Sequence, residues 1–276
     1  MNTQRTLLPP PPPRRAGGQV AEMPTPEPAS FAIISGKVNS PQRCVVYGPG
    51  GIGKSTLCSL APRPVFLDVE GGTKNLDIPR VEGIRNFADL RECLQGQALD
   101  GFGTIILDSV TRAEEMAIDH VIQNVKHEKG HSVTSLEGYG FGKGLSHSYD
   151  KFLLLLSDLD SQVRRGRHVI LIAHDCTAEV PNPVGDDFIR YEPRLQSPKS
   201  GKSSIRNRVV EWADHVIFVG YDVVSQDGKG KGAGTRTIYT SEMPTHIAKS
   251  RRAALALPFT GPADGDIWGH TLGVQS

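Results

Sequence analysis

The sequence predicts an α/β fold with a mainly parallel central sheet flanked by helices and with a C-terminal β-hairpin. Short apolar runs suited to strands buried on both faces alternate with segments of helical periodicity. A glycine-rich motif, GPGGIGKS, directly follows the first of these runs. With 276 residues, 38% of them hydrophobic and 22% charged, the chain can bury one full α/β core.

Five strands and four helices are predicted in the folded part of the chain. The strands cover residues 43–47, 65–68, 104–108, 168–173 and 215–219. The helices cover residues 54–60, 87–97, 111–125 and about 146–165. Apolar residues at 223–224 and 237–239 flank a turn-rich stretch, which is typical of a hairpin.

Composition divides the chain into three predicted parts. Residues 1–30 are rich in proline and predict a disordered arm, which could also serve a proline-recognising partner. Residues 31–258 predict the folded domain. Residues 259–276 predict a flexible tail, although Ile267 and Trp268 within it could dock on another surface.

Charge and cysteine content narrow the class of protein. The formal net charge is only +1, so any contact with nucleic acid must come from local patches. The four scattered cysteines lack metal or disulfide spacing, and no apolar stretch reaches the roughly 20 residues of a membrane span. We therefore expect a soluble cytoplasmic protein with reduced thiols and no membrane partner.

The GPGGIGKS motif has the sequence and the strand–loop–helix context of a P-loop. Its glycines let successive backbone N–H groups point at phosphates, and the following helix adds the positive end of its dipole. Lys54 would reach the β and γ phosphates, and the Ser55 hydroxyl would ligate Mg²⁺. The motif thus predicts ATP and Mg²⁺ as cofactors. The predicted nucleotide-binding residues are Gly48, Pro49, Gly50, Gly51, Ile52, Gly53, Lys54, Ser55 and Thr56.

Two carboxylates complete the predicted chemistry. Asp108 ends an apolar strand, as a Walker B aspartate that holds Mg²⁺ does, although it could instead cap the following helix. Ser109 follows it, so a base for the attacking water must come from elsewhere. Glu70, just after the strand at 65–68, is the predicted catalytic base, and a solvated loop glutamate is the alternative.

The ordered set of P-loop, Asp68-Val69-Glu70, Asp108-Ser109 and a strand ending at His174 resembles the core of RecA-like ATPases. From about residue 40 to 257 the chain is similar to phage nucleotide-binding proteins that include the RecA-related single-strand annealing recombinases, the "Sak four" group. This resemblance implies a RecA-like ATPase encoded by a phage or prophage and working in the bacterial host cell.

The resemblance also implies roles for residues outside the P-loop. His174 ends the fourth strand, where such folds sense the γ-phosphate; a satisfied core histidine is the alternative. Lys249 and Arg251 resemble the fingers that one subunit inserts into its neighbour's ATP site, which implies a homo-oligomeric ring or filament. A plain basic strand is the alternative.

Two long segments predicted to be irregular, residues 126–147 and 176–210, match the DNA-contacting loops of RecA-like proteins. The second contains a run of cations without an acidic residue, which suits single-stranded DNA if the loop is flexible. Tyr139 and Tyr191 could stack on bases or simply pack, and the hairpin cations are a weaker candidate surface. The predicted DNA-binding residues are Arg194, Lys199, Lys202, Arg206 and Arg208.

The function predicted from these features is DNA-stimulated ATP hydrolysis on single-stranded DNA in phage recombination or strand annealing. A single-strand-binding protein is a possible further partner. The alternatives are a helicase-type motor or loader with the same ATP site, a soluble P-loop kinase of small molecules, and an ATP-binding scaffold that barely hydrolyses.

Overall fold

The structure is a computed structural model that describes residues 33, 35–36, 38–226, 229–252, 255–259 and 266–273. The chain divides into the units Met1–Val38 and Asn39–Ser276, and the helices and strands belong to the second unit. The arm predicted for residues 1–30 lies outside the described residues. Among the helices of the described part, none is long and apolar enough to cross a membrane.

The strands of the described residues form one large sheet and a separate hairpin. They are β1 (Arg43–Tyr47), β2 (Pro64–Asp68), β3 (Arg80–Val81), β4 (Thr104–Asp108), β5 (His168–Ala173), β6 (Asp175–Val180), β7 (Phe188–Pro193), β8 (His215–Gln226), β9 (Lys229–Tyr239), β10 (Lys249–Ser250) and β11 (Ala256–Pro258). The large sheet has the order β11–β9–β8–β1–β5–β4–β2–β3, with β10 beside β8. β6 and β7 pair antiparallel with each other.

Helices follow several of these strands and cover both faces of the sheet. They are α1 (Lys54–Ser59), α2 (Phe87–Gln95), α3 (Val110–Asn124), α4 (Lys143–Arg164), α5 (Ile205–Trp212) and α6 (Asp266–Leu272), with a 3₁₀ turn at Glu137–Tyr139. Side-chain oxygens of Asn86, Ser109 and Ser204 accept backbone N–H groups at the starts of α2, α3 and α5. These caps explain where the three helices begin.

Two apolar clusters lie on the two faces of the sheet because successive strand residues point to opposite sides. Val45 and Leu107 belong to the larger cluster, which α2, α3, α4 and α5 cover. Val46 and Ile106 belong to the smaller cluster, which contains side chains from α1 and α6. The strands β1, β2, β4, β5 and β8 run parallel, so their carboxyl ends meet at one edge, called here the carboxyl edge.

The predicted fold class is confirmed by this mainly parallel sheet, its flanking helices and the antiparallel β8–β9 hairpin. One strand, β5, separates β1, which precedes the glycine-rich loop, from β4, which ends at Asp108. The strands β1, β4 and β5 have the bounds that the sequence predicts. β8 is longer than predicted because it continues to Gln226 as one arm of the hairpin.

The structure corrects the prediction that residues 126–147 and 176–210 are irregular. The second segment contains β6, β7 and the start of α5. The first contains the 3₁₀ turn and the start of α4, which begins at Lys143 rather than near residue 146. One face of the β6–β7 hairpin is largely exposed, so neither strand contains the continuous apolar run by which the other strands were predicted.

The flexible tail predicted from residue 259 is also corrected for part of its length. Residues 266–272 form α6, whose Ile267, Trp268 and Leu272 are buried in the smaller apolar cluster. The glycines and prolines of this region suggested a loose end, but three apolar side chains at helical spacing outweigh them.

Candidate nucleotide site

The P-loop connects the end of β1 to the start of α1 through a backbone that requires glycine. Gly48, Gly51 and Gly53 have φ angles of 153°, 73° and 104°, a region that side chains rarely adopt. A Cβ on Gly48 would lie 2.1 Å from the carbonyl oxygen of Val219 at the adjoining strand. The loop is therefore shaped by backbone constraints that only glycine satisfies at these positions.

Lys54 is the buried cation of this loop. Its Nζ donates to the carbonyl oxygens of Gly48 at 2.7 Å and Pro49 at 3.0 Å. Burial lowers the pKa of Lys54, while the carboxylates of Asp175 and Asp108 act in the opposite direction. A triphosphate would offer this ammonium charged oxygen partners, which bind it more strongly than neutral carbonyls do.

Ser55 and Asp108 meet as the sequence predicts for a Mg²⁺ site. Ser55 Oγ donates to Asp108 Oδ2 at 2.6 Å. Burial raises the pKa of Asp108, the Ser55 hydrogen bond lowers it, and the carboxylates of Glu70 and Asp68 raise it further. An added cation would relieve this crowding of negative charge.

These residues fit Mg²⁺ bound together with a nucleotide rather than alone. Within the described residues there is no group of three or more His, Cys, Asp or Glu side chains that could hold a metal. Mg²⁺ in nucleotide sites usually takes one or two protein oxygens, with phosphate oxygens and water completing its shell. Ser55 and Asp108 supply that number of protein oxygens.

The Asp68 carboxylate stabilises the loop that carries Glu70, a role that the sequence analysis did not predict. Its carboxylate accepts backbone N–H groups from Glu70 at 3.2 Å, Gly71 at 2.6 Å, Gly72 at 3.2 Å and Thr73 at 2.9 Å. Burial raises the pKa of Asp68, but the hydrogen bonds from Thr73 and the two glycines outweigh it and lower the pKa. An aspartate followed by glycines and threonine is the local signal for such a loop.

The Glu70 carboxylate lies between two side chains from neighbouring strand ends. The Ser109 hydroxyl donates to Glu70 Oε1, and His174 Nε2 lies 3.0 and 3.2 Å from the two Glu70 carboxylate oxygens. Ser109 also caps α3 by accepting the N–H of Arg112, so the capping role belongs to Ser109 rather than Asp108. The predicted base and the predicted sensor are thus in direct contact, and both remain about one-third exposed.

Lys249 and Arg251 lie away from this carboxyl edge. Lys249 begins β10, which pairs with the first two residues of β8, and Arg251 directly follows β10. The Lys249 ammonium donates to the carbonyl oxygens of Val210 at 2.5 Å and Glu211 at 3.4 Å, at the end of α5. Arg251 is 62% exposed and pairs with Asp214 at 3.1 Å. The structure does not bring either cation to the nucleotide site of its own chain.

The predicted cationic loop, residues 194–208, is called here the basic segment, and it is more ordered than expected. Its last residues, from Ile205, belong to α5. Arg206 is not a free cation, because its guanidinium forms an ion pair with the buried Glu192 at 2.5 Å. We therefore leave Arg206 out of the candidate DNA surface. The exposed cations are Arg194, Lys199, Lys202 and Arg208.

Gln196 fixes the basic segment to two helices. Its backbone N–H donates to Glu114 on α3 at 2.7 Å, and its side chain bonds Ser148 and the carbonyl oxygen of Leu145 on α4. Burial raises the pKa of Glu114 to about 7, while the Gln196 N–H opposes the change. The segment that carries the exposed cations is thus held in place against α3 and α4.

The aromatic residues near these segments differ in exposure. Tyr139 is buried and donates to the carbonyl oxygens of Val121 and Val125, which is the packing alternative. Tyr191 is 40% exposed and stacks on Phe218. Phe141, between Gly140 and Gly142, is fully exposed with a φ of 49°.

The fold and the site together define a P-loop protein that binds nucleoside triphosphates. The chain belongs to the family described as an AAA domain, whose model matches residues 40–252. This places it among the P-loop ATPases. No curated protein sequence matches the chain significantly.

Solved structures include similar folds at low identity. A KaiC-like protein of the hyperthermophilic archaeon Pyrococcus horikoshii OT3 is 15% identical, with a TM-score of 0.40, and the match covers 81% of this chain and 88% of that protein. The RadB recombinase is 17% identical, with a TM-score of 0.38, and the match covers 80% of this chain and 87% of RadB.

The backbone of the P-loop yields a first prediction. We expect Gly48→Ala to lower the free energy of unfolding by more than about 2 kcal/mol, because its Cβ would clash with the Val219 carbonyl at an unfavourable φ. Gly50→Ala is the matched control, since its Cβ would meet no heavy atom within 4 Å. Urea unfolding without nucleotide measures both variants, and equal stability would contradict the prediction.

Proposed function

We propose that this protein hydrolyses ATP with Mg²⁺ and acts on single-stranded DNA. The observation that carries the ATPase part is the position of Glu70. Its carboxylate lies beside Ser109 and His174 at the edge of the sheet that also holds the P-loop and the Ser55–Asp108 pair. A partly exposed carboxylate at that edge suits the base that activates water.

Each residue of the site has a separate role in the proposed hydrolysis of ATP. Water oxygen forms a bond to the γ-phosphorus while the bond to the β–γ bridging oxygen breaks, and Glu70 accepts the proton that water loses. Lys54 balances charge on the β and γ phosphates. Ser55 and Asp108 would hold Mg²⁺, which would supply further positive charge to those oxygens. ADP and phosphate then leave.

His174 connects this chemistry to the rest of the chain. It contacts Glu70 through its ring and directly precedes β6. Its carbonyl oxygen accepts the N–H of Arg194, the first residue of the basic segment. A change at the γ-phosphate that moves His174 would therefore reach the hairpin and the basic segment, which supports coupling of the two proposed activities.

The second prediction separates nucleotide binding from hydrolysis. Lys54→Ala should abolish productive ATP binding, because the β and γ phosphates lose their main side-chain counter-charge. Glu70→Gln should keep ATP affinity but lower kcat by about 10²-fold or more, because shape survives while basicity is lost. Binding titration and steady-state hydrolysis measure the two effects, and an equal loss of affinity in both variants would remove Glu70 from catalysis.

The proposed DNA surface combines cations with one exposed aromatic ring. Phe141 lies two residues before the start of α4, and the first turn of α4 contacts the basic segment through Ser146 Oγ and Ser203 Oγ, 3.3 Å apart. Cations neutralise the phosphates of a single strand, and an exposed ring stacks on its bases without sequence preference. This combination favours single-stranded over double-stranded DNA, whose bases are already stacked.

The third prediction measures this surface by its salt dependence. Each phosphate neutralised on a single strand contributes about −0.7 to the slope of log K against log salt. Replacing Lys199, Lys202 and Arg208 with alanine should therefore flatten the slope by about 2, while Phe141→Ala should weaken binding with little change in slope.

A charge-matched control tests whether the location matters. Arg63, Arg164 and Arg165 are exposed cations near the start of β2 and the end of α4, away from the basic segment. Their triple alanine variant should keep the wild-type slope. If it flattens the slope as much as the basic-segment variant does, DNA contact is unspecific and the proposed surface is wrong.

We also propose that Arg251, with Lys249, completes a neighbouring subunit's site in a ring or filament. Both cations lie away from the nucleotide site of their own chain, and Arg251 is the more exposed. Arginine supplied by a neighbour stabilises charge on the transferring phosphoryl group. Hydrolysis would then depend on assembly.

The fourth prediction tests this arrangement by mixing variants. A Lys249→Ala, Arg251→Ala protein should bind ATP but hydrolyse it poorly, and mixing it with Lys54→Ala should restore part of the rate. Some interfaces would then join an intact P-loop to intact cations. Arg252→Ala is the neighbouring control. If mixed oligomers form and remain inactive, the cations have only the structural contacts seen with α5 and Asp214.

A further inference from the structure

The segment after β10 packs against the phosphate-binding helix, although the family match ends at residue 252. We call Phe259, Ile267, Trp268 and Leu272 the C-terminal clamp. All four side chains are buried in the smaller apolar cluster, together with Ile52 of the P-loop and Leu57 and Cys58 of α1. The clamp therefore lies in the same core as the nucleotide site.

Trp268 bonds directly to the helix that follows the P-loop. Its indole Nε1 donates to the carbonyl oxygen of Leu57 at 2.9 Å. That carbonyl lies in the last turn of α1, which has only six residues. A helix of this length is not stable alone, so its position depends on the side chains packed around it. Trp268 supplies both packing and a hydrogen-bond donor.

A second contact joins the clamp to the P-loop itself. Arg236 on β9 donates from Nη1 to the carbonyl oxygen of Ile52 at 2.6 Å. Its guanidinium lies over the Phe259 ring, 4.3 Å from the ring centre, and its carbonyl oxygen accepts the Phe259 N–H at 2.8 Å. Phe259 thus packs against the Arg236 side chain that bonds to the loop.

We propose that the C-terminal clamp and Arg236 position the P-loop and α1 for nucleotide binding. These are positioning residues, since Trp268 and Arg236 donate to carbonyl oxygens of α1 and the P-loop while the other three side chains pack in the same cluster. The inference rests on the proposed nucleotide function. It adds that the C-terminal clamp, which lies outside the family's matched region, acts with Arg236 to set how tightly this chain binds its nucleotide.

The two tryptophans of the chain provide a matched test. Both tryptophans are buried, and each donates a hydrogen bond from its indole Nε1: Trp268 to Leu57, and Trp212 to Asp160 at 2.8 Å. Trp268→Phe and Trp212→Phe therefore each remove one such donor. Trp212 ends α5 and lies beside Arg43, at the start of β1, whereas the P-loop follows the end of β1. Both variants lose a hydrogen bond, but only one lies beside the nucleotide site.

The experiment compares Mg²⁺-dependent binding of a fluorescent ATP analogue with thermal unfolding in its absence, both on the full chain. Trp268→Phe should raise the Kd for the analogue about threefold to tenfold, the range expected for one lost hydrogen bond. Trp212→Phe should lower Tm at least as much and leave Kd unchanged. Equal Kd values for the two variants would overturn the clamp.

Arg236 gives an independent measurement if Trp268→Phe does not fold. Arg236→Met removes the donor to Ile52 and should weaken Kd, while Arg236→Lys keeps a charged donor and should restore part of the affinity. Wild-type affinity in Arg236→Met would overturn the inference. Absence of analogue binding by the wild-type chain is a different result, which would overturn the proposed nucleotide function and the clamp with it.

Discussion

The parallel register of the central strands is the constraint on which the rest of the site depends. Asp68 pairs with Asp108 across β2 and β4, and Ala173 pairs with Tyr47 across β5 and β1. The first residues beyond these strand ends therefore meet at one edge. A shift of one residue in a single strand would reverse its buried face, so the core of the sheet and the geometry of the site are fixed by the same pairing.

This register concentrates negative charge around one lysine. Burial is the largest influence on the pKa values of both Lys54 and Asp108, and in each case it opposes the charged form. The neighbouring carboxylates favour the charged lysine and disfavour further negative charge. The protein holds this arrangement with hydrogen bonds from Ser55 and with the N–H groups around Asp68. The charges of the site thus suit a metal cation and a triphosphate that bind together.

The parts of the site that sequence could predict have local signals. The P-loop, the aspartate that ends β4 and the glutamate after β2 are each defined by a few adjacent residues and a strand. The contact between Glu70 and Ser109 has no such signal, because it joins residues far apart along the chain. Arg206 shows the same limit, since the buried Glu192 that neutralises it lies on β7, and charge counting alone treats it as free.

The two faces of the sheet explain why the C-terminal segment escaped prediction. Four helices cover one face, and the amphipathic stretches of α2, α3 and α4 are visible in sequence, whereas the short α5 was not predicted. The other face is covered by short helices, α1 and α6, neither of which has enough turns to give a clear period. A short helix is stable only in its tertiary setting. Because α1 carries the lysine and serine of the P-loop, the C-terminal helix that the sequence did not predict packs on the same face of the sheet as the nucleotide site.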